Sequence, residues 1–416
     1  MRYLLGCLSP ACRLCANVPN MPDVNPDILV WARETAGLTP EEAVRKLGIN
    51  TSKNMSGAEK LAAYEKGVLS PSRPLLLKMS QQYRRPLVAF YMKSRPADGT
   101  RSEDFRNIPD RDPDSDILIS VLVRNLRARQ SAVKEILLDD ESPALNFVAS
   151  KSVKDGPATV LKSIVEVTGI KREEFRSKAT PELAFAYLRA KAEAAGVFVL
   201  LIGNLGSHHT AIDAEAFRGF ALADKIAPFI VVNDQDARTA WSFTLLHELA
   251  HIWLGASGIS GKVSDVEIEK FCNTVANQFF LSDAELDSLK IPNSTSIQEA
   301  IAKIANFAKE RHVSGSMVAY GLLRKGVITV ETWRAITRFF TAQWRKSRDT
   351  QRERDESTGP NYYVVRRHRL GRALMLTVSR ALSDGTLSPT QASQILGVKP
   401  RSVSPLLSEP LGGRAA

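Results

Sequence analysis

Five consecutive residues, His247-Glu248-Leu249-Ala250-His251, form the clearest chemical pattern in the chain. They lie in the segment TAWSFTLLHELAHIWLG, which has no Pro and no Gly before Gly255 and therefore predicts a helix. A helix places residues four apart on one face, so both imidazoles can bind one Zn²⁺, with Glu248 beside a metal-bound water. The chain has only six histidines, which makes an accidental match to this spacing a weak alternative.

Two histidines do not complete a catalytic zinc site, which usually has three protein ligands and one water. The next segment, VSDVEIEKFCNTVANQFFL, has the pattern of an amphipathic helix after Ser264 and offers Glu267 and Glu269. We predict Glu269 as the third ligand. Asn273, four residues later on the same face, is predicted to accept the second N–H of a ligand histidine. Mn²⁺ and other divalent ions can occupy similar sites, so the motif specifies zinc without excluding them.

Three segments resemble the ImmA/IrrE family of metallopeptidases: RGFALADKIAPFIVVN, FTLLHELAHIWLG and EIEKFCNTVANQFFL. The resemblance is strong over 217–283 and looser over 155–330. It implies a zincin-like core in which His247, His251 and Glu269 bind zinc and Glu248 is the catalytic residue. Many family members have Pro near the position of Ser282, a departure that we expect to affect the loop rather than the metal.

The sequence leaves open which group stabilises the oxyanion of a peptidase reaction. The candidates are His208, His209, His312 and Tyr320. For His208 and His209, the favoured interpretation is that they are ordinary polar residues of an exposed loop. For His312, it is that a cation near the end of a helix interacts favourably with the helix dipole.

Substrate binding is predicted to involve a strand beside the site, because an extended peptide can add to a sheet edge. The segments FRGFALAD and PFIVVND are the two candidate edges. Arg218 would contact substrate carbonyls or acidic side chains if it faces the cleft. Alternatively, Arg218 and Gly219 only mark a bend.

The elements that must position these residues predict an α+β fold that is mostly helical. Three short apolar runs, VFVLLIG, FRGFALAD and PFIVVND, predict a small sheet before the HExxH helix. Helices are predicted near 156–168 and 180–195, and from Ala237 to about 330. RRHRLGRALMLTVSRALSDG is predicted as one helix, and LSPTQASQILGVKPRSVSPLL as a helix-turn-helix pair with a cap at Ser388-Pro389 and a turn at Gly397.

The N-terminal part predicts a helix-turn-helix bundle, because short helices are joined by turns with Gly and Pro. The segments LTPEEA, LAAYEKG and YRRPL resemble the phage-repressor-like (XRE) DNA-binding module, a common fusion partner in the ImmA/IrrE family. The predicted recognition segment GAEKLAAYEKG is not strongly basic, and the insert NTSKNMSG departs from the compact family turn. A purely structural helical scaffold is therefore the alternative.

Changes in composition divide the chain into five predicted parts. They are a disordered leader over 1–24 with Met1 or Met21 as the true start, an XRE-like module over 25–95, a linker over 96–113, a metallopeptidase domain over 114–330 and a basic helical region over 331–416. This last region carries +8 of the net charge of +11. The basic region is interpreted as a second DNA contact, a substrate-recruiting arm, a dimer element or a solvated helix face.

The overall composition, 44% hydrophobic and 24% charged, is typical of a folded globular protein. It excludes collagen, a disordered tail and a disulfide scaffold. No run approaches the ~20 apolar residues of a membrane span, so no membrane partner is expected. The excess of Lys and Arg over Asp and Glu makes nucleic acid, DNA in particular, the first partner to test. Three of the four cysteines lie in the leader without disulfide or zinc-knot spacing, which predicts a reducing, cytoplasmic environment.

The expected function is a zinc-dependent endopeptidase in transcriptional regulation. The family resemblance implies that it cleaves a repressor or a similar regulator. The alternative is a DNA-binding transcriptional regulator whose peptidase-like domain senses a ligand or partner without proteolysis, and both activities can exist in one chain. A toxin-like role is implied only by the genomic habits of the family. The sequence does not predict the oligomeric state.

Overall fold

The computed structural model describes residues 24–51, 55–94, 113–206, 210–256, 258–259, 266–292, 295–355 and 361–408. The chain divides into two units, Met1–Arg101 and Ser102–Ala416. The predicted leader and linker fall almost entirely outside the described residues, as does the pair His208-His209. No helix in the described part of the chain is long and apolar enough to cross a bilayer.

The first unit is a bundle of short helices. Its elements are α1 (Pro26–Thr35), α2 (Pro40–Leu47), α3 (Gly57–Glu65), α4 (Arg73–Gln82) and a 3-10 helix, Leu87–Tyr91. Capping boxes begin α2 at Thr39 and α3 at Ser56, where each side chain accepts the N–H of the residue three positions later. The predicted helix start at Thr39-Pro40 is confirmed.

A buried ion pair joins α1 to the end of α3 in this unit. Arg33 Nε lies 2.6 Å from Glu65 Oε1, and Arg33 Nη2 lies 3.1 Å from Glu65 Oε2. The same guanidinium donates to the carbonyl of Leu38. Because the pair is two-pronged and largely buried, it fixes the orientation of α3 within the bundle.

The second unit contains the small sheet and the remaining helices. Before the HExxH segment come α5 (Pro113–Asp139), α6 (Pro157–Thr168), α7 (Arg172–Arg176), α8 (Pro181–Ala194), β1 (Phe198–Leu201), β2 (Gly219–Leu222) and β3 (Phe229–Val232). Then follow α9 (Arg238–Leu254), β4 (Gly258–Ile259), α10 (Val266–Phe280), α11 (Asp283–Ser288), α12 (Ile297–Glu310) and α13 (Gly315–Arg324). The C-terminal helices are α14 (Val330–Asp355), α15 (Tyr362–Leu370), α16 (Arg372–Ser383), α17 (Pro389–Leu396) and α18 (Val403–Leu407). The prediction of a mostly helical α+β chain with a small sheet is confirmed.

The strand order is β1-β3-β2-β4. β1 and β3 are parallel, whereas β2 pairs antiparallel with β3 and, through Phe220 and Ala221, with β4. β3 therefore has neighbours on both sides, and β2 lies between β3 and β4. The prediction that PFIVVND or FRGFALAD supplies a sheet edge is wrong for this reason: the outer strands are β1 and β4.

Both faces of β1, β2 and β3 are buried, and alternate residues of these three strands enter two different cores. Ile230 and Val232 of β3 face the core that contains α6, α8, α9 and α10. Phe229 and Val231 face a second core, built with α5 and the C-terminal helices α16 and α17. The C-terminal helices and α5 thus pack together on this face of the sheet.

The predicted single helix over RRHRLGRALMLTVSRALSDG is wrong. Gly371 has a φ of +79° and separates α15 from α16, a conformation that favours glycine. Glu193 of α8 accepts hydrogen bonds from the backbone N–H groups of Arg372 and Ala373, which begin α16. The predicted cap at Ser388 is confirmed by the structure, as is the turn at Gly397.

Arg189 and Glu193 form the buried contact at this break. Arg189 Nε lies 3.1 Å from Glu193 Oε1, and both side chains are 8% exposed. The Arg189 guanidinium also donates to the carbonyls of Val199 in β1 and His368 in α15. One ion pair thus fastens the junction of α15 and α16 to α8 and to the sheet.

This packing predicts that Gly371→Ala destabilises the protein more than Gly385→Ala. A Cβ on Gly371 would lie 2.2 Å from Glu193 Oε1 and 2.5 Å from Arg189 Nη2, whereas none of the described atoms lies within 4 Å of a Cβ on Gly385. Both glycines have positive φ, so both variants carry a backbone cost of about 1–3 kcal/mol. Only Gly371→Ala adds overpacking of a similar size. Thermal unfolding of the two variants checks this, and equal Tm values would contradict it.

Candidate metal centre

Helix α9 is the central element of the second unit. It begins after Ala237, whose N–H donates to Asp236 Oδ1, and ends at Gly255, which has a φ of +69°. It packs against α6, α8, α10 and the strands β2 and β3. Nearly every residue from Trp241 to Trp253 is buried, because a helix packed on all sides has no solvent-facing stripe. The helix predicted from the HExxH segment is confirmed.

The two histidines and Glu269 converge at one point between α9 and α10. The two Nε2 atoms of His247 and His251 are 3.1 Å apart. Glu269 Oε2 is 3.2 Å from His247 Nε2, and Glu269 Oε1 is 3.2 Å from His251 Nε2. The histidines are 6% and 8% exposed. Among the described residues, these three form the group of His, Cys, Asp and Glu side chains that could hold a metal ion.

The separations between these donor atoms fit a small divalent cation. Ligands 2.0–2.2 Å from a tetrahedral zinc ion lie about 3.3 Å from one another, close to the distances of 3.1–3.2 Å found between the donors. Two imidazole nitrogens and one carboxylate are a donor set that zinc accepts, and three protein ligands leave one position for water. The residues present therefore fit the metal that the sequence predicts.

Hydrogen bonds within the cluster shift the pKa values of Glu269 and His251 in opposite directions. Burial alone would raise the pKa of Glu269, but hydrogen bonds to the two imidazoles lower it to about 2. Burial would lower the pKa of His251, but hydrogen bonds to Cys272 and Glu269 raise it to about 11. Because an imidazole binds a metal ion only in its neutral form, metal binding would compete with a proton on His251.

Glu248 lies on the side of α9 that faces β2 and is 1% exposed. Gly219, the first residue of β2, allows this close approach. A Cβ at that position would lie 2.4 Å from Thr244 Cγ2, 2.9 Å from the Val231 carbonyl oxygen and 3.1 Å from Glu248 Oε1. The sequence interpretation of Gly219 as a bend missed this role, although a glycine inside a strand pattern is a signal of close backbone approach.

Residues 200–323 match the family model of the IrrE N-terminal-like domain, Peptidase_M78. This IrrE-like segment begins in β1, ends in α13 and contains His247, Glu248, His251 and Glu269. The match supports the resemblance to the ImmA/IrrE family and indicates a metallopeptidase-like function. The comparisons with curated proteins and with solved structures found no match.

Cys272 is a site residue of the IrrE-like segment that the sequence analysis missed. Its buried thiol forms a hydrogen bond with His251. It is three positions after Glu269, so both lie on the face of α10 that meets α9, and this spacing was the available signal. Asn273 is exposed, lines a neighbouring cavity and makes no hydrogen bond to either histidine within the described part of the chain. Its orienting role stays a prediction.

The neighbouring cavity has a volume of about 510 Å³ and brings together three more of the predicted residues, Arg218, His312 and Tyr320. Phe243 forms part of its wall, and the centroid of the Phe243 ring is 6.3 Å from that of His247. His312 Nε2 donates to the carbonyl of Lys178 at 2.7 Å. A role of His312 or Tyr320 in stabilising an oxyanion stays a prediction.

The ligand geometry predicts that Glu269→Gln weakens zinc binding, whereas Glu267→Gln on the same helix does not. Glu269 contributes an anionic oxygen to the donor cluster, but Glu267 is exposed. We expect Glu269→Gln to lower zinc affinity by at least about tenfold, the smallest effect typical of losing even an outer hydrogen-bond partner of a metal ligand. Competition with a chromogenic chelator measures this. Equal affinities of the two variants would contradict the assignment.

The contact between β2 and α9 predicts that Gly219→Ala lowers the Tm and that Thr244→Ser partly restores it. The added methyl group overlaps Thr244 Cγ2, and overpacking of this kind costs about 1–3 kcal/mol. Serine lacks Cγ2, so the double variant should unfold at a higher temperature than Gly219→Ala alone. Thr244→Ser by itself is the control. A double variant no more stable than Gly219→Ala would show that Thr244 is not the limiting contact.

Proposed function

We propose that the protein is a zinc-dependent endopeptidase that acts in transcriptional regulation by cleaving a repressor or a similar regulator. The observation that carries this proposal is the convergence of His247, His251 and Glu269, with Glu248 buried on the same helix. The match of residues 200–323 to the IrrE N-terminal-like domain supports it. We place the activity in the cytoplasm, in keeping with the free thiol of Cys272.

In this proposal the zinc ion, when bound, makes water more acidic and polarises the substrate carbonyl. Glu248 accepts the proton of the attacking water at its carboxylate and later donates it to the leaving amine. The position of Glu248, one residue after His247 on a rigid buried helix, fixes the carboxylate beside the ligands. Its burial keeps bulk water from competing for the proton.

The substrate would bind as an extended peptide along the outer strand nearest the site. In the strand order β1-β3-β2-β4, β4 is that strand, and β2, whose Gly219 faces Glu248, is its neighbour. Main-chain hydrogen bonds to a strand bind a peptide independently of its sequence. Specificity must then come from pockets for its side chains.

The proposal predicts that Glu248→Gln retains zinc but loses cleavage. The amide keeps the shape of the side chain but cannot accept a proton, and a general base contributes roughly 10²–10⁴-fold to the rate. Zinc content and turnover of a quenched-fluorescence degenerate peptide library are measured side by side. The control is Glu267→Gln, which should retain both properties. Unchanged cleavage by Glu248→Gln would refute the mechanism.

The first unit favours a second candidate function, DNA binding through an XRE-like helix-turn-helix module. Residues 24–94 have a formal net charge of +5, and α2 and α3 are well-capped helices of the lengths that such a module needs. Helix α3 contains Glu59 and Glu65 beside Lys60, so phosphate contacts would dominate over base readout. In this alternative the metallopeptidase-like domain senses a ligand or partner without proteolysis.

The DNA-binding candidate predicts that the full chain binds duplex DNA with an affinity that falls steeply with salt. Each phosphate neutralised by Lys or Arg releases counterions, so log K should fall linearly with log salt concentration. The fragment 102–416, which corresponds to the second unit, should bind more weakly. Fluorescence anisotropy at several salt concentrations tests this. The absence of binding at about 50 mM salt would exclude the candidate.

A further inference from the structure

The cavity beside the metal centre is the feature from which more can be inferred. Its volume of about 510 Å³ is within the range of sites for small ligands and side chains. Its walls come from α9, α10, α13 and the residue before β2. The Phe243 ring lines the cavity and also lies close to His247, with 6.3 Å between the two ring centroids. A peptide held at the metal would therefore have a neighbouring side chain within reach of the cavity.

The charged residues that line this cavity are of one sign. Arg218, Lys270 and Arg324 contribute to the lining, and no Asp or Glu does so among the described residues. Lys270 directly follows the ligand Glu269, whose own carboxylate faces the histidines. Asp236 lies 3.9 Å from Arg218 and partly balances that one cation. The cavity therefore has a positive potential next to the metal centre.

The neutral part of the lining suits the carboxylate of a side chain. Asn273 and Asn277 contribute amide groups, which can donate to a carboxylate oxygen. Phe280 and Met317 contribute apolar surface for the methylene groups of an acidic side chain. The Nε2–H of His312 donates to the Lys178 carbonyl, so this group is not available to a carboxylate in the cavity.

We infer that this cavity is the subsite that selects an acidic side chain, Asp or Glu, close to the bond to be cleaved. The inference rests on the proposed peptidase function, because it takes the bound ligand to be a peptide. The three cations surround one pocket instead of forming an extended row, which favours a single carboxylate over a nucleic-acid backbone. All three cations are exposed, so each contributes modestly, and together they give a preference instead of an absolute requirement.

The test measures binding separately from cleavage. The probes are three pools of acetylated, C-terminally amidated decapeptides, each with Glu, Gln or Lys at one central position and uncharged residues elsewhere. Zinc-loaded, full-length Glu248→Gln protein is immobilised, and the retained peptides are quantified by mass spectrometry. We expect the Glu pool to be retained roughly threefold to tenfold more than the Gln pool and the Lys pool to be retained least.

A matched pair of double variants separates the cavity from the general charge of the protein. Lys270→Gln with Arg324→Gln removes two cations of the cavity and should abolish the preference for Glu. Lys162→Gln with Lys303→Gln removes the same charge from α6 and α12, outside the cavity lining, and should retain the preference. Equal retention of the Glu and Gln pools, or equal losses in both double variants, would overturn the inference.

Two further measurements separate this inference from the proposed function. If the wild-type protein cleaves peptides but shows no preference for Glu, the subsite is wrong and the peptidase stands. If the preference persists but no pool is cleaved, the peptidase is wrong and the acidic-peptide site stands. Two other outcomes would also overturn the subsite: stronger retention of the Gln pool when it is synthesised with a free C-terminal carboxylate instead of the amide, or loss of duplex DNA binding in Lys270→Gln with Arg324→Gln.

Discussion

The burial of one carboxylate between two imidazoles is the constraint on which the second unit depends. Glu269, whose side chain is 18% exposed, lies 3.2 Å from both His247 and His251, which are buried. Charged groups in such a place are costly unless they are paired. The close packing of α9 against α10 holds the three side chains near enough to one another to share one cation. The packing of α9 against α10 therefore stabilises the two helices and also forms a possible site for a cation.

The sheet serves this arrangement by giving α9 a buried face to pack on. Gly219 allows the β2 backbone to lie so close to Glu248 and Thr244 that a Cβ at this position would overlap Thr244 Cγ2. On the other face of the sheet, α5, α16 and α17 exclude water from Phe229 and Val231. The ion pair of Arg189 and Glu193 fastens the C-terminal helices to the same framework. The metal centre therefore has support from segments far away in the sequence.

Local patterns in the sequence were enough to predict that His247, His251 and Glu269 converge. Two histidines four residues apart in a segment without helix breakers predicted α9, and the first suitable carboxylate on the next amphipathic segment predicted Glu269. The strands were also predictable as short apolar runs, because their residues are buried on both faces.

Properties that depend on distant partners were not predictable from the sequence. The break at Gly371 depends on Arg189 and Glu193 of another helix, and the interior position of β3 depends on its pairing with both β1 and β2. The hydrogen bond between Cys272 and His251 requires the packing angle of α9 and α10, although the helical spacing of Cys272 was visible. Periodicity indicates which face of an element is buried, but it does not indicate which element covers it.

Two of the helices that pack on the sheet, α16 and α17, are synthesised late, and this has a consequence for folding on the ribosome. His247, Glu248, His251 and Glu269 are all synthesised well before α16 and α17, the helices that cover the second face of the sheet. A nascent chain that already contains every donor atom still lacks α16 and α17, which pack with α5 on the side of Phe229 and Val231, and it lacks the junction that binds Glu193. The scaffold of the candidate metal centre is therefore finished only when translation approaches its end.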